Sequence, residues 1–210
     1  CIELHAFLSK KDSLEFPDLI VFDLDPAKGV PFSRVLEVAL LIRRLLLELD
    51  MKVFVKTSGA RGLHLFVPVS PRYTFQTVSH FAREVAGAIA RRYPSLATTE
   101  RKVEKRKERV YIDFLQNGRG KTMAFPYSLR SFPGAPVSTP LTWAEVERGE
   151  VEPSALNIGT VFERLKKYGD LFRELLILPQ SLEKPVENFF PEKFSGRQEI
   201  RPFSPNALEN

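Results

Sequence analysis

The segment that most constrains this chain is Leu19-Ile-Val-Phe-Asp-Leu-Asp25, closed by Pro26. It is apolar, β-prone and too short for an ordinary helix. Pro26 cannot extend a ladder, so the run reads as a buried strand. Yet it carries two carboxylates. Residues two apart in a strand point the same way, so Asp23 and Asp25 project together, with Cα atoms roughly 6.6 Å apart at ~3.3 Å per residue. Two like charges at a buried strand end raise one pKa and cost stability unless a cation joins them. A pair of divalent ions would resolve that conflict. A solvated Asp-Pro turn containing a second aspartate would leave the same residues.

A third acid lies in Val110-Tyr-Ile-Asp-Phe-Leu115, where Asp113 interrupts an apolar strand and needs a partner. One of the arginines just before it could supply a core ion pair. Three carboxylates on two strands are also the usual protein share of two-metal phosphoryl transfer. Hard oxygen ligands suit magnesium or manganese.

Two short β runs, Lys52 to Lys56 and Leu63 to Val69, are joined by Thr57-Ser-Gly-Ala-Arg-Gly62. Glycines let backbone N–H groups approach an anion, and Ser58 adds a hydroxyl. His64 falls opposite the face of Leu63, Leu65 and Val67, from where it could donate to a phosphate oxygen. The loop lacks the Gly-Lys-Ser/Thr element of a Walker sequence, and a plain glycine hairpin fits it as well. Lys121 and Arg130 follow Asp113 closely. Arginine suits planar, bidentate phosphate contact, although either cation can equally be a solvated surface charge. His5, on the first strand, reads by itself as a structural histidine.

Around these residues the order β-α-β-β-α-β-β points to an α+β sandwich in one domain, with mixed or antiparallel sheets flanked by helices. Pro31 opens a helix to about Asp50 whose polar face carries Glu37, Arg44 and Glu48. Thr74 caps a second, with Phe75, Val78, Phe81, Val85 and Ile89 on its buried stripe. Strands at Arg109 to Leu115 and Lys121 to Tyr127 flank a turn at Asn117-Gly118 and are expected to pair as a hairpin. Residues 131–140 suggest an ordered loop. Val161, Leu165, Tyr168, Phe172 and Leu175 mark a late amphipathic helix. The domain is placed at 1–178, and 179–210 is read as a tail packed on the surface or partly flexible. Cys1-Ile-Glu-Leu reads as the middle of a strand, which implies native sequence ahead of it.

Charge adds direction. The chain holds 31 basic and 26 acidic residues, a net +5 that points weakly to a polyanionic partner. Six cations crowd between Arg101 and Arg109 against Glu104 and Glu108, as a basic loop beside DNA or an exposed helical face. A lone Cys1 excludes an intrachain disulfide framework and a Cys-based zinc cluster. No apolar run reaches the ~18 residues of a membrane span, and no secretory segment is evident; the expected location is cytoplasmic. The aromatic residues fall mostly at core spacing, so no base-stacking platform is assigned to them.

Six stretches in a fixed order carry a resemblance. They are Ile2-Glu-Leu-His5, Phe22-Asp-Leu-Asp-Pro26, Lys56-Thr-Ser-Gly-Ala-Arg-Gly-Leu-His64, Tyr111-Ile-Asp-Phe-Leu-Gln-Asn117, Pro126-Tyr-Ser-Leu-Arg130 and Gly134-Ala-Pro-Val-Ser-Thr-Pro-Leu-Thr-Trp143. Together they resemble the polymerase domain of bacterial end-joining ligases of the ligase D type, a branch of the archaeo-eukaryotic primase superfamily. The likeness runs to about residue 176. It implies a primase-like catalytic core and a nucleotidyltransferase that adds nucleotides from NTPs or dNTPs to a primer 3′-hydroxyl. The implied task is gap filling and end extension in non-homologous end joining.

By the same resemblance, Asp23, Asp25 and Asp113 hold two Mn2+ or Mg2+ ions, and Ser58, His64 and Arg130 bind the triphosphate. His5 faces the nucleotide, with Lys56, Arg61 and Lys121 as auxiliaries. Implied partners are DNA ends or primer-template, Ku and a DNA ligase module, at the nucleoid. Family members usually carry a segment ahead of the Ile-Glu-Leu-His strand, which is expected to be missing here. Gln116 stands where many relatives have a basic residue. Two further readings stay open. One is a non-catalytic DNA-end-binding remnant, whose DNA affinity would ignore Asp113→Ala. The other is a phosphohydrolase with Asp23 as nucleophile, which would release phosphate without extending a primer.

Overall fold

The apolar run around Asp23 becomes, as its composition demands, a buried central strand. In the computed structural model, which describes residues 2–189, this is β2 (Leu19–Pro26), preceded by the short β1 (His5–Phe7). Helix α1 (Phe32–Glu48), strands β3 (Phe54–Thr57) and β4 (Leu63–Pro68) and helix α2 (Phe75–Arg92) follow. Next come β5 (Ala97–Thr98), β6 (Val110–Asp113), β7 (Thr122–Ala124), β8 (Pro140–Leu141) and helices α3 (Trp143–Arg148), α4 (Val161–Tyr168) and α5 (Glu183–Phe189). Six strands form one mixed sheet in the order β5-β6-β2-β4-β3-β8, parallel at β5–β6 and antiparallel elsewhere. The architecture is α+β, with helices laid on a sheet.

Alternation sorts each strand between two faces. Ile20, Phe22 and Leu24 of β2, Leu63, Leu65 and Val67 of β4, and Val110 and Ile112 of β6 pack with the inner stripes of α1 and α2 into the main core. On α1 that stripe includes Val35, Val38, Ala39, Ile42 and Leu46, while Glu37, Arg44 and Glu48 stay exposed. Thr74 caps α2 as its sequence suggests, its hydroxyl accepting from the Thr77 N–H at 3.1 Å. The opposite face holds a smaller cluster of Leu8, Val21, Phe54, Phe66, Met123, Phe172 and Leu175.

Three expectations need correcting. First, β7 does not form a hairpin with β6; it pairs with β1, placing His5 opposite Ala124. The cause is Asn117. Its side chain accepts from the Val21 N–H at 2.8 Å and donates to the Val21 carbonyl at 2.7 Å. A side-chain amide thus takes the place on β2 that a longer β6 would occupy, and the chain turns away. Second, the first strand begins at His5 rather than running through Ile2 to Leu4; Cys1 lies outside the described residues. Third, the late amphipathic stripe is split. Helix α4 stops at Tyr168 before Gly169, whose φ of 67° is left-handed. Phe172 and Leu175 then sit in and beside a single 3-10 turn (Arg173–Leu176) against the smaller cluster.

Sequence reasoning passed over α3, which opens on a capping box between Thr142 and Glu145. Beyond residue 178 the chain is tied to the body. The Gln180 amide bonds the Lys52 N–H at 2.7 Å and the carbonyls of Lys52 and Pro68 at 2.9 and 3.1 Å. Leu182 and Val186 enter the main core. Residues 190–210, the rest of the expected tail, lie outside the described residues. Among the described residues no helix is long and apolar enough to cross a membrane.

Candidate functional site

The strand registers place one row of polar side chains across the sheet. Asp113 on β6 stands opposite Asp23 on β2, Asp23 opposite His64 on β4, and His64 opposite Lys56 on β3. Directly opposed residues share a face, so the row lies on the side away from α1 and α2. One rung back on that face the residues are Val21, Phe66 and Phe54, all buried. One rung forward, Asp25 faces Tyr111. The three acids therefore share one face, and Asp113 is turned away from the helix-side core.

Their electrostatics are unfavourable as the protein stands alone. Burial first, then the charges of Asp25 and Asp113, push the Asp23 carboxyl well above the usual carboxylate range; Lys56 and Arg130 oppose the shift without reversing it. Burial also raises Asp25, with Asp113 adding to the rise and Arg106 and Arg61 opposing it. Asp113 Oδ1 accepts from the Leu115 N–H at 2.8 Å, and its Oδ2 from the Gln116 amide at 3.3 Å. Among the described residues no group of three His, Cys, Asp or Glu is disposed to hold a metal ion as it stands. The donor chemistry nevertheless suits a hard divalent cation. The set is all carboxylate, it shares one face, and Asp23 Oδ1 is buried without a hydrogen bond.

The glycine loop is shaped by close packing. Ser58 Oγ accepts from the N–H groups of Ala60 and Gly62, both at 3.1 Å, which leaves the hydroxyl proton free to donate. Gly59 has φ +74°, and a Cβ there would lie 2.4 Å from Arg130 Cγ. At Gly62 a Cβ would lie 2.2 Å from the Leu24 carbonyl oxygen. The glycines thus let Arg130 and β2 come close. Arg130 reaches over the loop and donates to the Ser58 carbonyl at 2.5 Å, while its Nε is buried without a hydrogen bond. Glu3 Oε1 lies 3.5 Å from that Nε. The Glu3 carboxyl is lowered to about 2, chiefly by the N–H and hydroxyl of Ser131 and then by His5.

Lys56 is fully buried, and burial brings its ammonium down to about 7 despite the attraction of Asp23. It donates to Ser138 Oγ and, at 3.4 Å, to the Thr57 carbonyl, and it is hydrogen-bonded to His64 Nδ1 at 2.9 Å. Burial, followed by the charges of Lys56, Arg130 and His5, drives His64 well below the usual imidazole range. The approach of His64 Nε2 to Asp23 Oδ1, 3.4 Å, is therefore a contact of a neutral ring and not an ion pair.

The remaining expected residues lie at the margin. His5 is exposed beside Glu3, its Nε2 3.3 Å from Glu3 Oε2. Arg61 and Lys121 are exposed, and only Arg61 is near enough to Asp25 to affect it. The basic stretch 101–109 is a loop with one 3-10 turn (Val103–Lys105), not a helical face. Arg109 and Arg106 tie it together by donating to the carbonyls of Arg106, Lys105, Glu100 and Arg101. Arg106 also lies over the Tyr111 ring at 3.8 Å. Burial and Asp113 push the Tyr111 hydroxyl up to about 12. Sequence reasoning missed Tyr111 and Ser138. Tyr111 was findable, since it stands two residues before Asp113 on the same strand face; Ser138 reaches Lys56 only through the fold.

A carboxylate pair, a facing third acid and an arginine over a glycine loop thus lie on one face of a mixed sheet in an α+β domain. The family model of the LigD primase-polymerase domain matches residues 1–172, and the chain belongs to that family. It is 38% identical over 156 residues to the multifunctional non-homologous end joining protein LigD of Mycolicibacterium smegmatis, covering 74% of this chain and 20% of that protein. To the bifunctional non-homologous end joining protein LigD of Bacillus subtilis it is 35% identical over 165 residues, covering 78% and 27%. The polymerase domain of Mycobacterium tuberculosis ligase D, solved in complex with DNA, superposes with a TM-score of 0.73 at 33% identity. That match covers 79% of this chain and 57% of the solved one. The chain thus spans about a fifth to a quarter of the two curated relatives' lengths. Its fold is that of the primase-like catalytic core.

Proposed function

We propose that this chain is the catalytic core of a nucleotidyltransferase that fills gaps and extends DNA ends in non-homologous end joining. The primer 3′-oxygen forms a bond to the α-phosphorus of an NTP or dNTP, the bond to the pyrophosphate oxygen breaks, and the hydroxyl proton leaves to solvent. One observation carries the reading. Among the described residues, the two buried side-chain polar atoms without a hydrogen bond are Asp23 Oδ1 and Arg130 Nε. One is an acceptor suited to a cation, the other a donor suited to an anion. Buried polar groups are rarely left so, and a metal-bound nucleotide would satisfy both.

Asp23, Asp25 and Asp113 would hold two Mn2+ or Mg2+ ions, whose chemistry when bound is to activate the attacking hydroxyl and stabilise the leaving pyrophosphate. Arg130 and the Ser58 hydroxyl donate to the triphosphate, and His64 stands beside them as a further contact. His5 lies at the rim, where it faces the nucleotide. Arg61 and Lys121, both exposed, attract the polyphosphate at longer range. The names of the relatives and the DNA in the solved neighbour support DNA ends or primer-template as substrate; Ku and a ligase module are the partners this reading adds.

The test incubates the protein with labelled nucleotide, primer-template and Mn2+. Primer elongation with pyrophosphate release is expected, and loss of both in Asp113→Ala. DNA binding that survives Asp113→Ala, with no extension by the unaltered chain under any metal, would replace the enzyme with a DNA-end-binding module.

A further inference from the structure

The residues just ahead of β1 are tied to the turn that carries Arg130. Glu3, half-buried, has Oε1 accepting from the Ser131 N–H at 2.6 Å and from the Ser131 hydroxyl at 2.8 Å. The neighbouring backbone is fixed to the same stretch. The Leu4 N–H donates to Ser128 Oγ at 2.8 Å, and the Leu4 carbonyl accepts from the Phe125 N–H at 2.8 Å. On the other side, the Arg130 N–H donates to the Pro136 carbonyl at 2.9 Å. The backbone of Arg130 is therefore gripped twice, at its own N–H and at the N–H of the next residue.

The Arg130 side chain meets the same carboxylate. Its Nη1 is anchored on the Ser58 carbonyl, and its Nε lies 3.5 Å from Glu3 Oε1. That separation has a cause. A carboxylate oxygen has about two lone-pair sites, and Ser131 fills both on Oε1. Glu3 thus attracts the guanidinium without taking the hydrogen of Nε, which stays buried and unbonded. A carboxylate bonded directly to Nε would compete with a phosphate; one already spent on Ser131 does not. We infer that Glu3 is a positioning residue, which fixes the Arg130–Ser131 corner and steers the guanidinium over the glycine loop while leaving its Nε–H for the triphosphate. This deepens the proposed function and rests on it only for the identity of the ligand. It also gives the pairing of β1 with β7 a purpose, since that ladder brings Glu3 to Ser131, 128 positions away.

The experiment uses the whole chain. Without metal or nucleotide, the Arg130 Nε–H NMR signal, assigned by its absence in Arg130→Lys, should be sharp and slow to exchange with water. In Glu3→Ala it should broaden or vanish. With Mn2+ and ATP but no primer, calorimetry should show Glu3→Ala weakening ATP binding by about tenfold. Glu3→Gln, which keeps an acceptor for Ser131, should recover part of that loss. In primer extension the Glu3→Ala defect should fall on the nucleotide KM more than on kcat. Added to Arg130→Ala, Glu3→Ala should weaken ATP binding no further, because residues that act through one another are not additive. An equal loss with and without Arg130 would make Glu3 merely structural and overturn the inference, as would unchanged ATP binding in Glu3→Ala. A fast-exchanging Nε–H in the unaltered protein overturns it even if Glu3→Ala does not fold. Should ATP binding depend on Glu3 only when Arg130 is present, while the unaltered protein extends no primer, the positioning role stands and the polymerase reading fails.

Discussion

The two faces of the central sheet are made from the same strands, taking alternate residues, yet they differ in kind. On one, Ile20, Phe22 and Leu24 meet α1 and α2 in a dry apolar layer, where burial stabilises by roughly 25 cal/mol per Å². On the other, Asp113, Asp23, His64 and Lys56 stand in one row. There Asp23 is pushed up, Lys56 down to about 7 and His64 well down, all chiefly by burial. Each shift marks a charge that the fold disfavours. A one-residue slip of β2 would exchange the two sets and ruin both faces. At these rungs strand alternation thus separates stability from chemistry, and a substitution within either set should report on only one of them, while Val21, Phe54 and Phe66 pack one rung back on the site's face.

The sharpest way to break that comparison is Asp113→Asn. Nucleotide addition should fall by at least about a thousandfold, roughly the several kcal/mol that two-metal charge stabilisation supplies. Its Tm without metal should hold or rise. Asp23 has its folded pKa raised partly by Asp113, so its ionised form opposes folding above the ordinary carboxylate pKa, and removing that neighbouring charge relieves the cost. A clear drop in the metal-free Tm would instead make the Asp113 carboxylate structural.

Leu65→Ala, on β4 but facing the helices, should do the opposite. It should cost about 2–5 kcal/mol, or about 2–4 °C of Tm per kcal/mol in a chain of this size. Nucleotide KM measured well below that Tm should not change. A large KM effect would show the two faces to be mechanically coupled.

Glu145→Gln probes a charge that the fold favours. Burial alone would raise Glu145, but the paired Arg164 guanidinium and the backbone and hydroxyl of Thr142 outweigh it and hold the carboxyl at about 2. Losing a charge-assisted bond of this kind costs about 1.5–3 kcal/mol at neutral pH. Since the folded pKa lies below the unfolded one, that contribution is complete above about pH 4.5 and disappears as pH falls toward 2. Urea unfolding across that window should show the variant and the parent converging. The smallest effect expected is that of Thr74→Ala, which removes the α2 cap far from the acids and costs about 1 kcal/mol. Thermal melting should detect it while nucleotide addition stays unchanged.

Much of this was legible because it is local. Pro31 and Thr74 marked the starts of α1 and α2, and the apolar periods identified their buried stripes. The runs around Asp23, Lys56, His64 and Asp113 all became strands. What failed was pairing. Nothing near Lys121 announces that β7 joins β1, because the deciding contact is Asn117 on the backbone of Val21, 96 positions away. The sequence also hid what else Lys56 and Ser58 touch: the fold buries the amine between His64, Ser138 and the Thr57 carbonyl, and the serine oxygen also closes the glycine loop.

By itself the sequence determined which residues share a face within each strand. Asp23 sides with Asp25, and His64 opposes Leu63 and Leu65, because successive residues of an extended chain must point to alternate sides. Only the tertiary structure decided that Asp113, Asp23, His64 and Lys56 form one row, since register between strands depends on turns, partners and burial distributed over the whole chain. Dihedral alternation is a property of neighbours; cross-strand registry is a property of the packed molecule.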